Sequence, residues 1–179
     1  NRDFSGNNIM SLGIWYEQVM RWVGPAASAF AVGQVVVPYR RDASGARVAI
    51  SVPDHIDVVG HLQQGGQYRL AVSSVVGHAP NLSEAYIFGE KGTLAFVAPV
   101  QGESTLQLGK QGGAGLVPVA IDPAKRGAWR VEEEFINAVR GREAITHTDF
   151  VTGTKYMEWT DAVAQSMRTR REIALPLQF

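Results

Sequence analysis

Cysteine is absent from this chain of 179 residues, so disulfide bonds and thiolate chemistry are excluded. A surplus of one charge is missing too, because 17 basic and 17 acidic side chains give a formal net charge of zero. Without a basic patch or a polybasic run, the composition gives no indication of nucleic-acid binding. No apolar run reaches the ~20 residues that a membrane-spanning helix needs. The composition is therefore that of an ordinary globular chain.

The sequence also lacks the patterns of a metal site, a dinucleotide-binding motif and a signal peptide. The four histidines are scattered without metal-ligand spacing, so no metal site is expected. The glycines of residues 109–125 do not lead from a strand into a helix, so this chain is expected to bind no dinucleotide cofactor itself. The first residues, "NRDFSGNN", include neither an initiator methionine nor a signal peptide. This start predicts a fragment of a longer protein, and we expect a cytoplasmic location.

The remaining sequence alternates between helical and strand patterns. Residues 8–23 predict a helix that Gly24 and Pro25 end. Residues 28–108 contain short β-rich runs separated by glycine-containing turns, and such sequential hairpins predict antiparallel pairing. Residues 131–140 predict a second helix. A third begins after Thr148 or Asp149 and runs to about residue 168, and residues 173–177 follow as an edge strand.

This order of elements predicts the fold class and the buried surfaces. One helix, a run of strands and two helices is an α+β order. We expect one large, predominantly antiparallel sheet with the helices packed on one face, in a single domain over residues 1–179. Helical spacing predicts three apolar faces: Met10, Ile14, Val19 or Met20, and Val23; Val131, Phe135, Ile136 and Val139; and Phe150, Gly153, Met157, Thr160, Ala164 and Met167.

The strands carry more apolar residues than one face can hold. We expect that the following six cannot all point toward the helices: Val35, Val37, Ile56, Val58, Leu70 and Val72. A second apolar face on a sheet predicts self-association.

Three segments resemble the C-terminal domain of the Gfo/Idh/MocA oxidoreductase family. They are "PDHIDVVGHLQQGGQYRLAVSSV", "RVEEEFINAVRGRE" and "TDFVTGTKYMEWTDAVAQSMRTRREIALP". The resemblance implies the substrate-side and oligomerisation domain of an NAD(P)-dependent oxidoreductase acting on a sugar, polyol or related hydroxy compound. It also implies a homodimer or tetramer formed through the free sheet face. The N-terminal domain that would bind NAD or NADP is absent from this sequence, so the isolated domain is expected to be inactive.

The first helix carries the segment to which the family's catalytic motif corresponds. Family members have "DLGxHxxD" or "DLGIYxL" there, whereas this chain reads "SLGIWYEQ". Gly13 matches, Trp15 stands at the His or Tyr position, and Gln18 stands at the Asp position. An indole N–H only donates hydrogen bonds, so Trp15 cannot be a general base. The resemblance thus implies that Trp15 and Gln18 bind substrate.

Other interpretations of this segment stay open. Trp15 is either a stacking wall for a sugar ring or a core residue. Tyr16, or Glu17, is the remaining candidate for acid/base catalysis, although it requires a rotation of the helix by ~100°. The functional alternative to an enzyme is a non-catalytic ligand-sensing or regulatory protein of the same fold, and an unrelated α+β domain is a third possibility.

Overall fold

The structure, a computed structural model, describes residues 7–125, 127–146 and 149–178. Its helices are α1 (Leu12–Val23), α2 (Val131–Val139) and α3 (Phe150–Thr169), with short 3₁₀ turns at Ile9–Ser11 and Pro123–Lys125. The strands are β1 (Ser28–Gln34), β2 (Tyr39–Arg41), β3 (Arg47–Ala49), β4 (His55–His61), β5 (Gln67–Ser73), β6 (Asn81–Gly89), β7 (Gly92–Pro99), β8 (Thr105–Lys110), β9 (Val117–Pro118) and β10 (Ile173–Ala174). The α+β class is confirmed.

The strands pair antiparallel throughout the described residues, as predicted, but they form three sheets rather than one. The first sheet has the order β10-β1-β4-β5, β2 pairs with β3 as a separate hairpin, and the third sheet has the order β6-β7-β8-β9. The chain also divides into two compact units. The first contains the described residues up to Val75 and from Glu133 onward, and the second contains Val76–Glu132. The prediction of a single domain stays a prediction.

The core of the first unit lies between its sheet and helices α1 and α3. Ile56 and Val58 of β4 are fully buried, and so is Trp159 of α3. Leu70 and Val72 of β5 pack against this core. These four of the six apolar strand residues named in the sequence analysis therefore share the face that packs against the helices. The opposite face exposes Val32 and Val59, at 60% and 45%, beside the charged pair Asp57–Arg69.

The predicted buried face of α2 is wrong, whereas those of α1 and α3 are confirmed in part, since Met20 and Thr160 are buried and Met10 and Met167 pack against the core. Helix α1 buries Leu12, Gly13, Tyr16 and Met20, while Ile14 is 58% exposed. All four predicted residues of α2 are exposed, and Glu134 is its buried residue. Helix α3 buries Trp159, Thr160, Ala162, Val163 and Ser166, whereas Phe150 is 87% exposed. The physical reason for the differences is common to all three helices, because large apolar side chains also occupy their outward faces.

The predicted ends of α3 are confirmed. Asp149 caps the helix, since its Oδ1 accepts a hydrogen bond from the Thr152 amide at 2.7 Å. That hydrogen bond holds the pKa of Asp149 below its usual value. Thr148, the other candidate cap, lies outside the described residues. Beyond the helix, β10 pairs with β1 at the edge of the sheet, as the alternating C-terminal residues predict.

One buried carboxylate fixes the segment between β1 and β2. Asp54 is 4% exposed, and it accepts hydrogen bonds from the amides of Val36 and Val37 at 2.7 and 3.2 Å and from Arg40 Nη2 at 3.1 Å. The Val36 hydrogen bond is the largest influence and lowers the pKa of Asp54, although burial acts in the opposite direction. The ionised carboxylate therefore stabilises the start of the β2–β3 hairpin.

Within the described part of the chain, every helix is too short or too polar to cross a membrane.

Candidate functional site

The start of α1 is fixed by contacts around Gly13. Asn8 Oδ1 accepts a hydrogen bond from the Gly13 amide at 2.8 Å, which satisfies one of the donors that the first helical turn leaves without a partner. A Cβ at Gly13 would lie 3.0 Å from the Tyr156 ring and 3.3 Å from Asn8 Oδ1. Glycine therefore permits the helix to approach α3 closely at this position. The rotation of α1 about its axis, and hence the direction of its side chains, follows from these contacts.

Trp15 and Gln18 lie on the exposed side of α1. Trp15 is 36% exposed and Gln18 is exposed as well. The three-residue spacing places both side chains on one side of the helix. Two further apolar side chains extend this surface at helical spacing, namely Ile14, 58% exposed, and Trp22, 48% exposed. We call these four residues the α1 face.

Tyr16 points in the opposite direction, into the core. It is 2% exposed, and its ring stacks on Trp159 with 4.2 Å between centroids and 7° between planes. The Tyr16 hydroxyl accepts a hydrogen bond from the Ala26 amide at 2.7 Å. Burial raises the pKa of Tyr16, although the hydrogen bond from Ala26 opposes this rise. The phenol is therefore protonated near neutral pH and already paired within the protein.

A second tyrosine, Tyr68, forms hydrogen bonds with the stacked Trp159 and with the backbone of β1. Trp159 Nε1 donates a hydrogen bond to the Tyr68 hydroxyl at 2.8 Å, and that hydroxyl donates to the Ser28 carbonyl at 2.9 Å. Burial also raises the pKa of Tyr68. Sequence reasoning did not identify this chain of contacts. Its signal is the spacing of Leu12, Tyr16 and Met20, which places Tyr16 on the buried side of α1.

Glu17 is the other titratable side chain of the motif. Its carboxylate forms an ion pair with Arg21, one turn further along α1, and its side chain is 14% exposed. The carboxylate is thus already paired within the helix. No group of three or more His, Cys, Asp or Glu side chains within the described ranges is arranged to hold a metal ion. The α1 face thus presents rings and an amide, which suit stacking and hydrogen bonding rather than proton transfer.

Neither a family model nor a curated protein sequence matches the chain. Solved structures do match. Levoglucosan dehydrogenase in complex with NADH and L-sorbose has a TM-score of 0.75 at 16% identity, over 93% of this chain and 49% of that protein. The WlbA dehydrogenase from Bordetella pertussis, in complex with NADH and UDP-GlcNAcA, has a TM-score of 0.65 at 19% identity, over 94% and 44%. Aldose-aldose oxidoreductase from Caulobacter crescentus, complexed with glycerol, has a TM-score of 0.65 at 17% identity, over 91% and 46%.

These matches confirm the predicted resemblance at the level of the fold. The similar structures are oxidoreductases of the Gfo/Idh/MocA type, and this chain spans about half the length of each. Sequence identities below one fifth leave the roles of individual residues to be argued from the geometry of this chain.

Proposed function

We propose that this chain belongs to the Gfo/Idh/MocA family and forms the C-terminal, substrate-side domain of an NAD(P)-dependent oxidoreductase that acts on a sugar, polyol or related hydroxy compound. The supporting observation is the fold shared with sugar-acting dehydrogenases, together with the exposed α1 face in the segment that resembles the family's catalytic motif. A fold by itself does not determine a function, so the proposal depends on what the α1 face can do.

Trp15 and Gln18 are assigned complementary roles in holding a substrate. The exposed indole offers a flat apolar surface on which the C–H face of a sugar ring can stack, and its N–H can donate to a hydroxyl. Gln18 carries both an amide donor and a carbonyl acceptor, so it can bind a second hydroxyl. Because neither side chain titrates near neutral pH, the proton that leaves a carbinol during hydride transfer must be accepted outside the α1 face.

The dinucleotide is assigned to a part of the protein outside this chain. A nicotinamide cofactor supplies the hydride chemistry, and its pyrophosphate usually binds where a strand leads through a glycine-rich turn into a helix. None of the three helices among the described residues follows a strand in this way. We therefore expect calorimetric titration of the isolated chain with NAD or NADP to give no saturable heat. Saturable binding at micromolar concentration would contradict this assignment.

The second candidate function is a non-catalytic sensor of the same fold. Trp15 and Gln18 stand at the family's His or Tyr position and Asp position, and the hydroxyl of Tyr16 is hydrogen-bonded in the core. Both observations remove acid/base groups from α1 and favour binding without turnover. The two functions share the α1 face and differ in whether the complete protein oxidises what it binds.

Substitution of Trp15 tests the proposal in the protein that contains this chain with its nucleotide-binding domain. Trp15→Ala should weaken sugar or polyol binding by about 1–3 kcal/mol, because the stacking surface is lost. Trp129→Ala is the matched control, since Trp129 is 80% exposed in the second unit. Cofactor reduction that falls in Trp15→Ala but not in the control supports the enzyme. Sugar binding without cofactor reduction in the unaltered protein supports the sensor, and equal binding by the unaltered protein and Trp15→Ala contradicts the role of the α1 face.

Self-association through the outer face of the first sheet is a further part of the proposal. Val32 and Val59 expose apolar surface there, and such surface favours burial between two copies. Val59→Lys should therefore lower the dimer or tetramer fraction in sedimentation experiments. A strictly monomeric unaltered protein at tens of micromolar would contradict this proposal.

A further inference from the structure

The second unit contains a groove that shares no residue with the α1 face. It has a volume of about 640 Å³ and lies on the β6-β7-β8 sheet, and its lining includes Tyr86, Phe88, Thr93, Gly109, Lys110 and Leu116. We call it the aromatic groove. Its volume falls within the range of small-molecule sites in proteins. All of its lining residues come from one compact unit.

One wall of the aromatic groove consists of two aromatic rings. Tyr86 and Phe88 are two residues apart on β6 and therefore project from the same face of the sheet. Their rings are nearly parallel, with 8° between planes and 6.1 Å between centroids. They are 47% and 79% exposed. Their cross-strand partners are the smaller residues Ala95 and Thr93, so the rings stand above the neighbouring strand.

The other wall is the loop that follows β8, and it packs tightly against Gly109. Gly109 is paired with Thr93 across the sheet. A Cβ at Gly109 would lie 3.2 Å from Leu116 Cδ2 and 3.3 Å from the Gly115 carbonyl oxygen. The loop is closed by a hydrogen bond from the Gly113 amide to the Lys110 carbonyl at 2.9 Å. The glycine-rich segment that the sequence marks only as a loop is thus one side of a formed groove.

Polar side chains at the rim determine the class of ligand. Glu90, Lys110 and Gln111 contribute to the lining. Within the described ranges, these three side chains form no hydrogen bond or ion pair with the protein. They provide donors and acceptors for a ligand, and the opposite charges of Glu90 and Lys110 cancel. Flat apolar rings beside neutral, mixed hydrogen-bonding capacity suit a molecule with an apolar ring face and a rim of hydroxyl groups.

We infer that the aromatic groove is a binding site for neutral carbohydrate. A pyranose ring stacks its C–H face on the rings of Phe88 and Tyr86. Its hydroxyls form hydrogen bonds with the side chains at the rim. This inference does not depend on the proposed function, because it uses none of the residues of the α1 face and requires no cofactor.

The experiment uses cellotriose as the probe and amide chemical shifts of the full chain as the readout. We expect saturable shifts at Phe88, Thr93 and Gly109, with a dissociation constant on the order of a millimolar. Phe88→Ala should weaken binding about tenfold, since an exposed aromatic contact is lost. Leu82→Ala is the matched control, because Leu82 is 72% exposed on the same strand but does not line the groove. It should bind as the unaltered chain does.

Four results would overturn the inference. The first is the absence of saturable shifts up to the solubility limit of cellotriose. The second is equal affinity in Phe88→Ala and the unaltered chain, and the third is adenosine binding to the groove as tightly as cellotriose. The fourth is a dimer that Phe88→Ala dissociates, because a second copy would then occupy the groove. Both substitutions are at exposed positions, so each variant is expected to fold. The dispersion of its amide chemical shifts shows whether it does. Trp15→Ala should leave cellotriose binding to the groove unchanged, which separates this test from that of the proposed function.

Discussion

The substitution Tyr16→Phe separates a structural from a chemical role for the tyrosine of the α1 motif. The change removes only the hydroxyl and keeps the ring that stacks on Trp159 at 4.2 Å. The hydroxyl is the acceptor for the Ala26 amide at 2.7 Å, and Ala26 is 2% exposed. An amide left without a partner in such a place costs about 1–3 kcal/mol. We expect the free energy of unfolding to fall by this amount.

Urea unfolding near neutral pH, followed by helical ellipticity, measures this loss. Tyr86→Phe is the matched control, because it removes the same hydroxyl from a side chain that is 47% exposed. Substitutions at such surface positions usually change stability by less than about 0.5 kcal/mol. If Tyr16→Phe leaves stability unchanged but abolishes turnover in the complete protein, a structural role for the Tyr16 hydroxyl is wrong and Tyr16 takes part in the chemistry.

Two further substitutions probe buried polar contacts of the first unit. Asp54→Asn should lower stability at neutral pH, because it removes the charge that Arg40 and the Val36 amide stabilise. Because the pKa of Asp54 is lowered in the folded chain, the contribution of the carboxylate to stability is complete above the unfolded pKa of about 3.9 and is lost as pH falls through the folded value. The stabilities of variant and parent should therefore converge in acid. A difference in stability that stays constant with pH would contradict this prediction. Ser166→Ala should destabilise the chain by about 1–3 kcal/mol, because Ser166 Oγ accepts a hydrogen bond from the buried Ala31 amide at 2.9 Å; thermal unfolding unchanged from the parent would refute it.

Local chemistry explains which parts of the fold the sequence predicts correctly. The turn between β4 and β5 contains Gly65 and Gly66, whose φ values of 92° and 93° are disfavoured for other residues. The Asp149 cap is equally local, because its partner is the Thr152 amide. These features depend on a few neighbouring residues, so propensity and turn rules suffice. The division of the strands into separate sheets depends instead on contacts between distant residues, which the sequence pattern does not specify.

Helix α2 shows why hydrophobic spacing can fail to predict a buried face. In α2, Phe135 and Val139 have helical spacing but are 52% and 71% exposed. The spacing rule presumes that the outward face of a helix is polar. The outward face of α2 is instead apolar. The same is true of α1, which exposes two tryptophans on one face and buries a tyrosine on the other. Exposed apolar side chains of this kind are expected where a surface binds a ligand or another domain.

The neighbouring residues Trp15 and Tyr16 show how far the sequence constrains the candidate site. Consecutive residues on a helix differ in direction by ~100°, so only one of the two rings can point fully into the core. The sequence left this choice open, because either ring fits a buried position by size and polarity. The structure buries Tyr16 against Trp159 and leaves Trp15 partly exposed. The residue at the family's His or Tyr position is thus the one at the surface, which supports the proposed alignment of the motif and a role for Trp15 in binding.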